Sequence, residues 1–482
     1  MLRKMEKEIN KDVTKNIVKF ILKTKYENFP NNVIKKAKLI ILDSIANQMA
    51  ATTFPIGNII RDYINDFRGD GESTVIGLDR KVPCEIAAWA NSTLAHALDI
   101  DSGEIRGVNV HPSCKSLPVS LAICEHLGAS GKDLLTAFIL SDEIQIKIGT
   151  IVYPSHRKRG YHPTGTIGVF GSCTAAGKLF GLCEEKFLYA FGIAGSMVGS
   201  LGVNIGSMTK SLHAGNAAQQ GVKAVLLAQK GWKSNNNIIG ARGGFCETLS
   251  DEYFSNIGST IISKKMIITI LNLGNPWEIE SPGIYFKAYP SCGYLQSGIE
   301  LAVKMSKKYE INNNQIEEIS LGVDATCLDF CQLAGGGEIA KDGYQARYNM
   351  SAGVAIGLSR RSAGIDDFTD EIIQSQQIIE LMKKTRMYLD PEIAGKGYIN
   401  GGRIIKIKMK DGTQYTDTIG IDCNLAEKGP IYRLSEEKVI EKYRNLAKRM
   451  LNRREIERLY ELITNLEKLD NVKVITDVIR GK

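Results

Sequence analysis

Six histidines carry most of this chain's capacity to move protons near neutral pH: His96, His111, His126, His156, His162 and His213. An unperturbed imidazole titrates at about 6.5, so it can take or give a proton under ordinary conditions. Three short segments set such rings among other polar groups and tight turns. The first, HALDIDSGEIRGVNVHPS, holds His96, Asp99, Asp101, Arg106 and His111. The second, RGYHPTG, holds His162, and the third, TKSLHAGN, holds Lys210 and His213. Proline after His111 and after His162 biases each histidine away from helical geometry and suits the first turn of a following helix. A histidine placed there lies beside free backbone N–H groups, where anions bind readily. Spacing alone leaves each ring balanced between capping a helix and doing chemistry. His126, in CEHLGASG, reads instead as the C-terminal residue of a helix.

The elements that must position these rings are mostly helical as far as Trp277. Residues 32–51 place Val33, Ala37, Ile40, Ile41, Ile45 and Met49 close to a 3.6-residue period. Helical patterns recur over 83–99, 116–127, 131–151, 165–180, 186–201 and 216–230. They are rich in Ala, Gly and Leu, which lets helices approach closely in a large bundle. Near Trp277 the pattern changes. Residues 316–323 and 403–409 alternate apolar and polar, as half-buried strands do. Asp411-Gly412 then marks a hairpin with 414–419 as the return strand. Helices are expected over 296–309 and 347–358. The fold class is therefore mainly α: an all-helical domain over 1–276, a smaller α/β lid domain over 277–421, and C-terminal helices over 422–482 returning to the helical domain. The tail helix starts at Ser435-Glu436-Glu437, and its Lys- and Arg-rich run from Lys438 to Arg458 reads as a solvated face.

Composition narrows the function classes. At 43% hydrophobic and 24% charged, the 482-residue chain is globular, not disordered or collagen-like. A net charge of +8 is mild at this length and makes no case for nucleic acid. The ten cysteines show no CxxC spacing and lie mostly in apolar runs, which reads as reduced thiols and argues against a zinc or iron–sulfur centre. The N-terminal MLRKMEKEINKD lacks an apolar h-region, so no signal peptide is expected, and the cytoplasm is the expected location. One uncharged run, Phe187 to Thr209, is long enough to span a bilayer, but its five glycines and its isolation favour a buried helix or helix pair.

The segments over 96–113, 159–182, 206–231, 286–292 and 432–444 together resemble the MmgE/PrpD family, and the resemblance covers most of the chain. Known members include 2-methylcitrate dehydratase, cis-aconitate decarboxylase and iminodisuccinate epimerase. It implies an active cleft between a helical domain and an α/β lid, a homodimer, no metal and no organic cofactor. It implies catalytic roles for Asp99, His111, His162 and Lys210, and places Lys287 of the lid on the substrate. Arg106, His213 and Asp101 are further candidates for holding substrate or supporting the site. The implied chemistry is proton abstraction beside a carboxylate. A histidine is base, the other assists a leaving hydroxyl, Asp99 fixes the tautomer, and lysines hold carboxylates and the developing enolate-like charge.

The lid departs from the relatives. Where the decarboxylase has a catalytic histidine, this chain has Cys292, followed by Gly293 and Gln296 where relatives place an arginine and a histidine nearby. Cys292 is a candidate thiol acid–base or a structural cysteine. After Ala346-Arg347 the position of a family tyrosine falls on Ala352. The departures point to a smaller or less charged acid than citrate-like ones. The first expectation is a cofactor-independent, 2-methylcitrate dehydratase-like lyase acting on a small polycarboxylate. The alternatives are an epimerase of a small dicarboxylate, a cis-aconitate-type decarboxylase and a non-catalytic carboxylate binder.

Overall fold

The apolar period that begins at Val33 becomes helix α1, Asn31–Ala51, whose second half is buried on every side. The computed structural model describes residues 12–67, 71–257, 259–334, 339–394, 401–420 and 434–481. Cys423, the 421/422 boundary and the residues before 12 lie outside the described residues. Helices α2 (Cys84–Ala95), α3 (Ser113–Leu127), α4 (Gly131–Val152), α5 (Gly168–Leu179), α6 (Glu184–Ser196) and α7 (Thr209–Gln229) follow. Helix α7 packs against α2 and α5, and α5 packs against α4. A side chain at Gly215 of α7 would collide with Thr93 Oγ1 at 2.1 Å and the Trp89 carbonyl at 2.8 Å, so this glycine is what lets α7 lie on α2. His126 falls in the last turn of α3, as expected, and Gly128 closes that helix in a left-handed cap.

Beyond residue 286 the buried apolar side chains form a second core. One large cluster draws on Val13 to Phe286 and Val439 to Ile479, with Ile365 joining it; the other draws on residues between Tyr294 and Met409. The second core is built by α8 (Gln296–Lys308) and α9 (Met350–Arg360) on a four-stranded sheet. A separate two-stranded ribbon, β1 (Gly103–Glu104) with β2 (Ile284–Tyr285), ties the first histidine segment to the chain entering this second core. In the larger sheet, β3 (Ile316–Val323) lies between β4 (Thr385–Leu389), parallel to it, and β5 (Arg403–Met409), antiparallel; β6 (Gln414–Ile419) closes the far edge. The Asp411-Gly412 hairpin forms as read, with Gly412 at φ 90°. Helices α10 (Glu436–Ala447) and α11 (Arg453–Thr464) return to pack on α1.

Three readings are corrected. The uncharged run from Phe187 is not one buried unit: α6 ends at Ser196, and Leu201 and Val203 beyond it are exposed. None of the helices among the described residues is long and apolar enough to cross a membrane. Lys442, inside the basic tail run, is buried against Asp43 at 2.7 Å, while Arg444 pairs with Glu457 at the surface. Helix α7 begins seven residues before the expected 216, because Gly215 marks a packing contact and not a boundary; Lys210 and His213 therefore ride on a rigid helix.

Candidate active site

Four imidazoles form one chain of rings. His96 caps the C-terminus of α2, with its ring 4.8 Å from that of His111 and stacked 5.9 Å from that of His162. His162 in turn faces His213, with their Nδ1 atoms 2.9 Å apart. Gly165 permits this last approach, since a Cβ there would meet Ser200 Oγ at 1.9 Å and His213 Cβ at 3.1 Å. The expected pair, His111 and His162, is thus linked through His96.

Asp101 organises the near end of the chain. Its Oδ2 lies 2.9 Å from His96 Nδ1 and 3.1 Å from His111 Nδ1. Both contacts suit an ionised carboxylate accepting Nδ1–H, which leaves Nε2 of each ring with its lone pair. Burial alone would raise Asp101, but His96 and then His111 hold its carboxyl well below the usual range. Orientation of the rings therefore falls to Asp101 and not to Asp99.

Asp99 serves the lysines instead. It leaves α2 in the left-handed region at φ 51°, a conformation uncommon for a residue with a side chain and concentrated at functional sites. Lys210 Nζ donates to its Oδ1 at 2.6 Å, and Lys287 Nζ donates to the same oxygen at 3.0 Å and to the Asp99 carbonyl at 2.9 Å. Burial pushes Asp99 up, yet Lys210 and then Lys287 hold it far below the ordinary carboxylate range. Lys287 stays charged: burial works against its ammonium, but Asp99 and then Asp101 raise it. Two cations on one carboxylate leave a net positive centre.

The four clustered histidines favour the neutral form. Burial, then the Lys210 charge, lowers His96 to about 3 and His213 to about 4. Burial lowers His111 despite Asp101, and burial with Lys210 lowers His162 well below the usual value. A neutral imidazole is a base that needs no deprotonation first. Cys292 is the reverse case: burial, then Asp99, raises its thiol to about 11, so it is protonated at neutral pH.

A cavity of about 310 Å³ opens over these groups. Asp99, His111, His162, Lys210 and Cys292 line it, together with Asn109, Arg157, Tyr161, Tyr294, Phe330 and Tyr348. The expected convergence of Asp99, His111, His162 and Lys210 is there, and Cys292 comes from the second core to cover it. Four expected contact residues do not line it. Asp101 and His213 are buried behind the rings they hold. Lys287 is fully buried and acts through Asp99. Arg106 points elsewhere and pairs with Glu278 at 2.8 Å. Ala352 does not line the cavity, whereas Tyr348 does, with its ring 5.4 Å from Lys210 Nζ. Arg157 and Tyr348 were missed, since an arginine in a basic run and a tyrosine at a helix entry carry no periodic signal.

His96, Asp101 and Cys114 bring ligand-type atoms within 4.8 Å of one another. Each of the three is also engaged with neighbouring groups of the chain. His96 and Asp101 share a hydrogen bond, and Cys114, raised to about 12 by burial, donates its thiol to the His111 carbonyl at 3.1 Å with Lys115 alongside. His156 is structural, with Nδ1 on the Leu249 carbonyl and Nε2 on Thr166 Oγ1, both at 2.7 Å.

Comparison with known proteins identifies the family. The MmgE/PrpD N-terminal domain profile matches residues 15–255, and the MmgE/PrpD C-terminal domain profile matches residues 289–468. The chain belongs to this family. It is 26% identical over 468 residues to cis-aconitate decarboxylase of Homo sapiens, covering 95% of this chain and 92% of that protein. The mouse protein of the same name is 26% identical over 470 residues, at 95% and 91% coverage. That of Aspergillus terreus (strain NIH 2624 / FGSC A1156) is 23% identical over 472 residues, at 94% and 93% coverage.

Proposed function

We propose that this MmgE/PrpD chain is a cofactor-independent lyase that removes a proton beside a carboxylate of a small polycarboxylic acid and expels hydroxide, as 2-methylcitrate dehydratase does. The observation that supports the reading is the pairing, in one cavity, of neutral imidazoles with Lys210 and Asp99, which Lys287 backs from behind. The substrate carboxylate lies at Lys210. His111, held by Asp101 through Nδ1–H, takes the α-proton on Nε2. The electron pair left on carbon moves toward the carboxylate, where the Lys210 ammonium offsets the charge, and then forms the C=C bond as the C–O bond breaks. The proton that His111 took from carbon goes to the departing hydroxyl, so water leaves and the ring returns to its neutral state. Asp99 keeps Lys210 in place, and Lys287 keeps Asp99 in place.

Decarboxylation is the second reading, favoured by the name shared by the relatives and by the protonated Cys292 thiol. There the C–C bond to a carboxyl breaks, CO2 leaves with no electron pair, and the carbanion takes a proton from a donor at the cavity wall. Part of the same proposal is a cytosolic homodimer, which light scattering on the purified protein checks. Small hydroxy- and unsaturated polycarboxylates, incubated with the protein in D2O, distinguish the chemistries. Loss of water supports the first reading and release of CO2 the second. Deuterium entering unreacted acid without mass loss of water or CO2 favours epimerisation. Binding without any turnover defeats the enzymatic account.

A further inference from the structure

Arg157 lines the cavity from the helical side, just before the His162 segment. Its neighbour Arg159 is neutralised by Asp251 at 2.8 Å. Among the described residues no carboxylate pairs with Arg157. Its guanidinium donates instead to the Tyr294 hydroxyl at 3.0 Å and lies 5.5 Å and 5.4 Å from the ring centres of Tyr294 and Phe330. Both rings belong to the second core. A guanidinium held against aromatic faces keeps its charge and its planar fork of donors, and that fork matches a carboxylate bidentately. The wall near it is apolar, with Val203, Ile205 and Phe330. The centre at Lys210 and Asp99 and the guanidinium of Arg157 are therefore two cationic points of one small cavity with an apolar side.

We infer that Arg157 anchors a second carboxylate of the substrate, so that the preferred ligand is a short dicarboxylate whose spacer lies on the apolar wall. Built on the reading of the cavity as a carboxylate site, this inference adds where the distal carboxylate goes. It also gives Arg157 a linking role, because the anchor stands on rings of the other core and a bound dianion holds the two faces of the cleft together.

The test is calorimetric binding of succinate, glutarate and butyrate to the intact chain and to Arg157→Gln and Arg157→Lys, each checked for unchanged thermal unfolding. We expect the wild-type protein to prefer the dianions to butyrate. Arg157→Gln should weaken the dianions about 10- to 100-fold and butyrate less than about twofold. Arg157→Lys, which keeps the charge without the fork, should fall between. Equal weakening of dianion and monoanion, no weakening of either, or no dianion binding by the wild-type protein overturns the inference. If Arg157→Gln fails to fold, the Arg157→Lys series alone decides on the same terms. Binding is read whether or not any acid is turned over, so absent turnover with discriminating binding sinks the lyase reading and leaves this inference standing.

Discussion

Oδ2 of Asp101 lies 3.1 Å from Nδ1 of His111, and the same oxygen holds His96 at 2.9 Å. One buried carboxylate thus fixes two rings. Asp101→Asn presents an amide that can donate where an acceptor is needed, which favours the wrong tautomer of His111. We expect kcat to fall on the order of 100-fold or more while KM changes little. Steady-state kinetics on the best substrate reads the split; a rise in KM with kcat unchanged contradicts the role.

Lys210 and Lys287 share Asp99, so the three groups should not respond alike to removal. Asp99→Asn leaves two buried ammonium groups facing each other, whereas Lys210→Met leaves Asp99 still paired with Lys287. Unpairing a buried charge costs about 3–5 kcal/mol. Denaturant unfolding should therefore show Asp99→Asn to be the more destabilised of the two, and the reverse order would mean the triad is not electrostatically bound.

Lys442 brings the C-terminal helix under the site. Its ammonium pairs with Asp43 at 2.7 Å and donates to the Ile100 carbonyl at 2.8 Å and to the Lys287 carbonyl at 3.2 Å. Lys442→Met should lose about 3 kcal/mol of stability, because Asp43 stays buried without its cation. The double variant with Asp43→Leu should recover much of that loss. Turnover should fall in both variants, since the Ile100 and Lys287 backbone loses its donor. Retained turnover in a folded Lys442→Met would show that these carbonyls do not position the site.

The histidines make stability depend on acid. In the unfolded chain they take up protons near 6.5, but in the fold His213 does so at about 4 and His96 at about 3. Between those values the unfolded state binds more protons. Stability should be complete above about pH 6.5 and fall as pH drops toward 3. Thermal melts of wild type and His213→Asn should show a shallower acid slope for the variant. Identical slopes would contradict a buried, neutral His213.

Cys292 is a thiol raised to about 11, and Cys183 is exposed. Timed iodoacetamide labelling followed by mass spectrometry should find Cys183 modified before Cys292. Cys292→Ser should keep water loss within about tenfold if the thiol only lines the cavity. A loss of 100-fold or more would assign it a proton in the reaction and favour the decarboxylase or epimerase reading.

Much of this was readable from residue types. The turn-and-proline contexts of His111 and His162 marked rings at helix edges, and the alternation over 316–323 and 403–409 marked the sheet. The exceptions have physical causes. Arg403 breaks the alternation because its buried guanidinium pairs with Asp324 and the Tyr294 carbonyl. The expected start at 216 falls short because TKSLHAG reads as a polar segment, while Gly215 within it lets α7 pack on α2. That Asp101 and not Asp99 orients the rings is not legible in the sequence, because both carboxylates lie in the same short segment and Asp99 alone takes the left-handed backbone. The charge of Arg106 suggests a substrate contact, but its partner Glu278 lies far along the sequence.

The central claim is that uncharged imidazoles remove hydrogen beside an acid held at a lysine. Single-turnover kinetics in D2O, with the best polycarboxylate and the His111→Asn and His162→Asn variants, tests it most directly. We expect wild-type protein to form product with solvent-derived hydrogen exchange. At least one of the two variants should lose about 100- to 10,000-fold in rate while calorimetry shows the acid still bound. Two folded variants that turn the acid over at the wild-type rate would contradict the account.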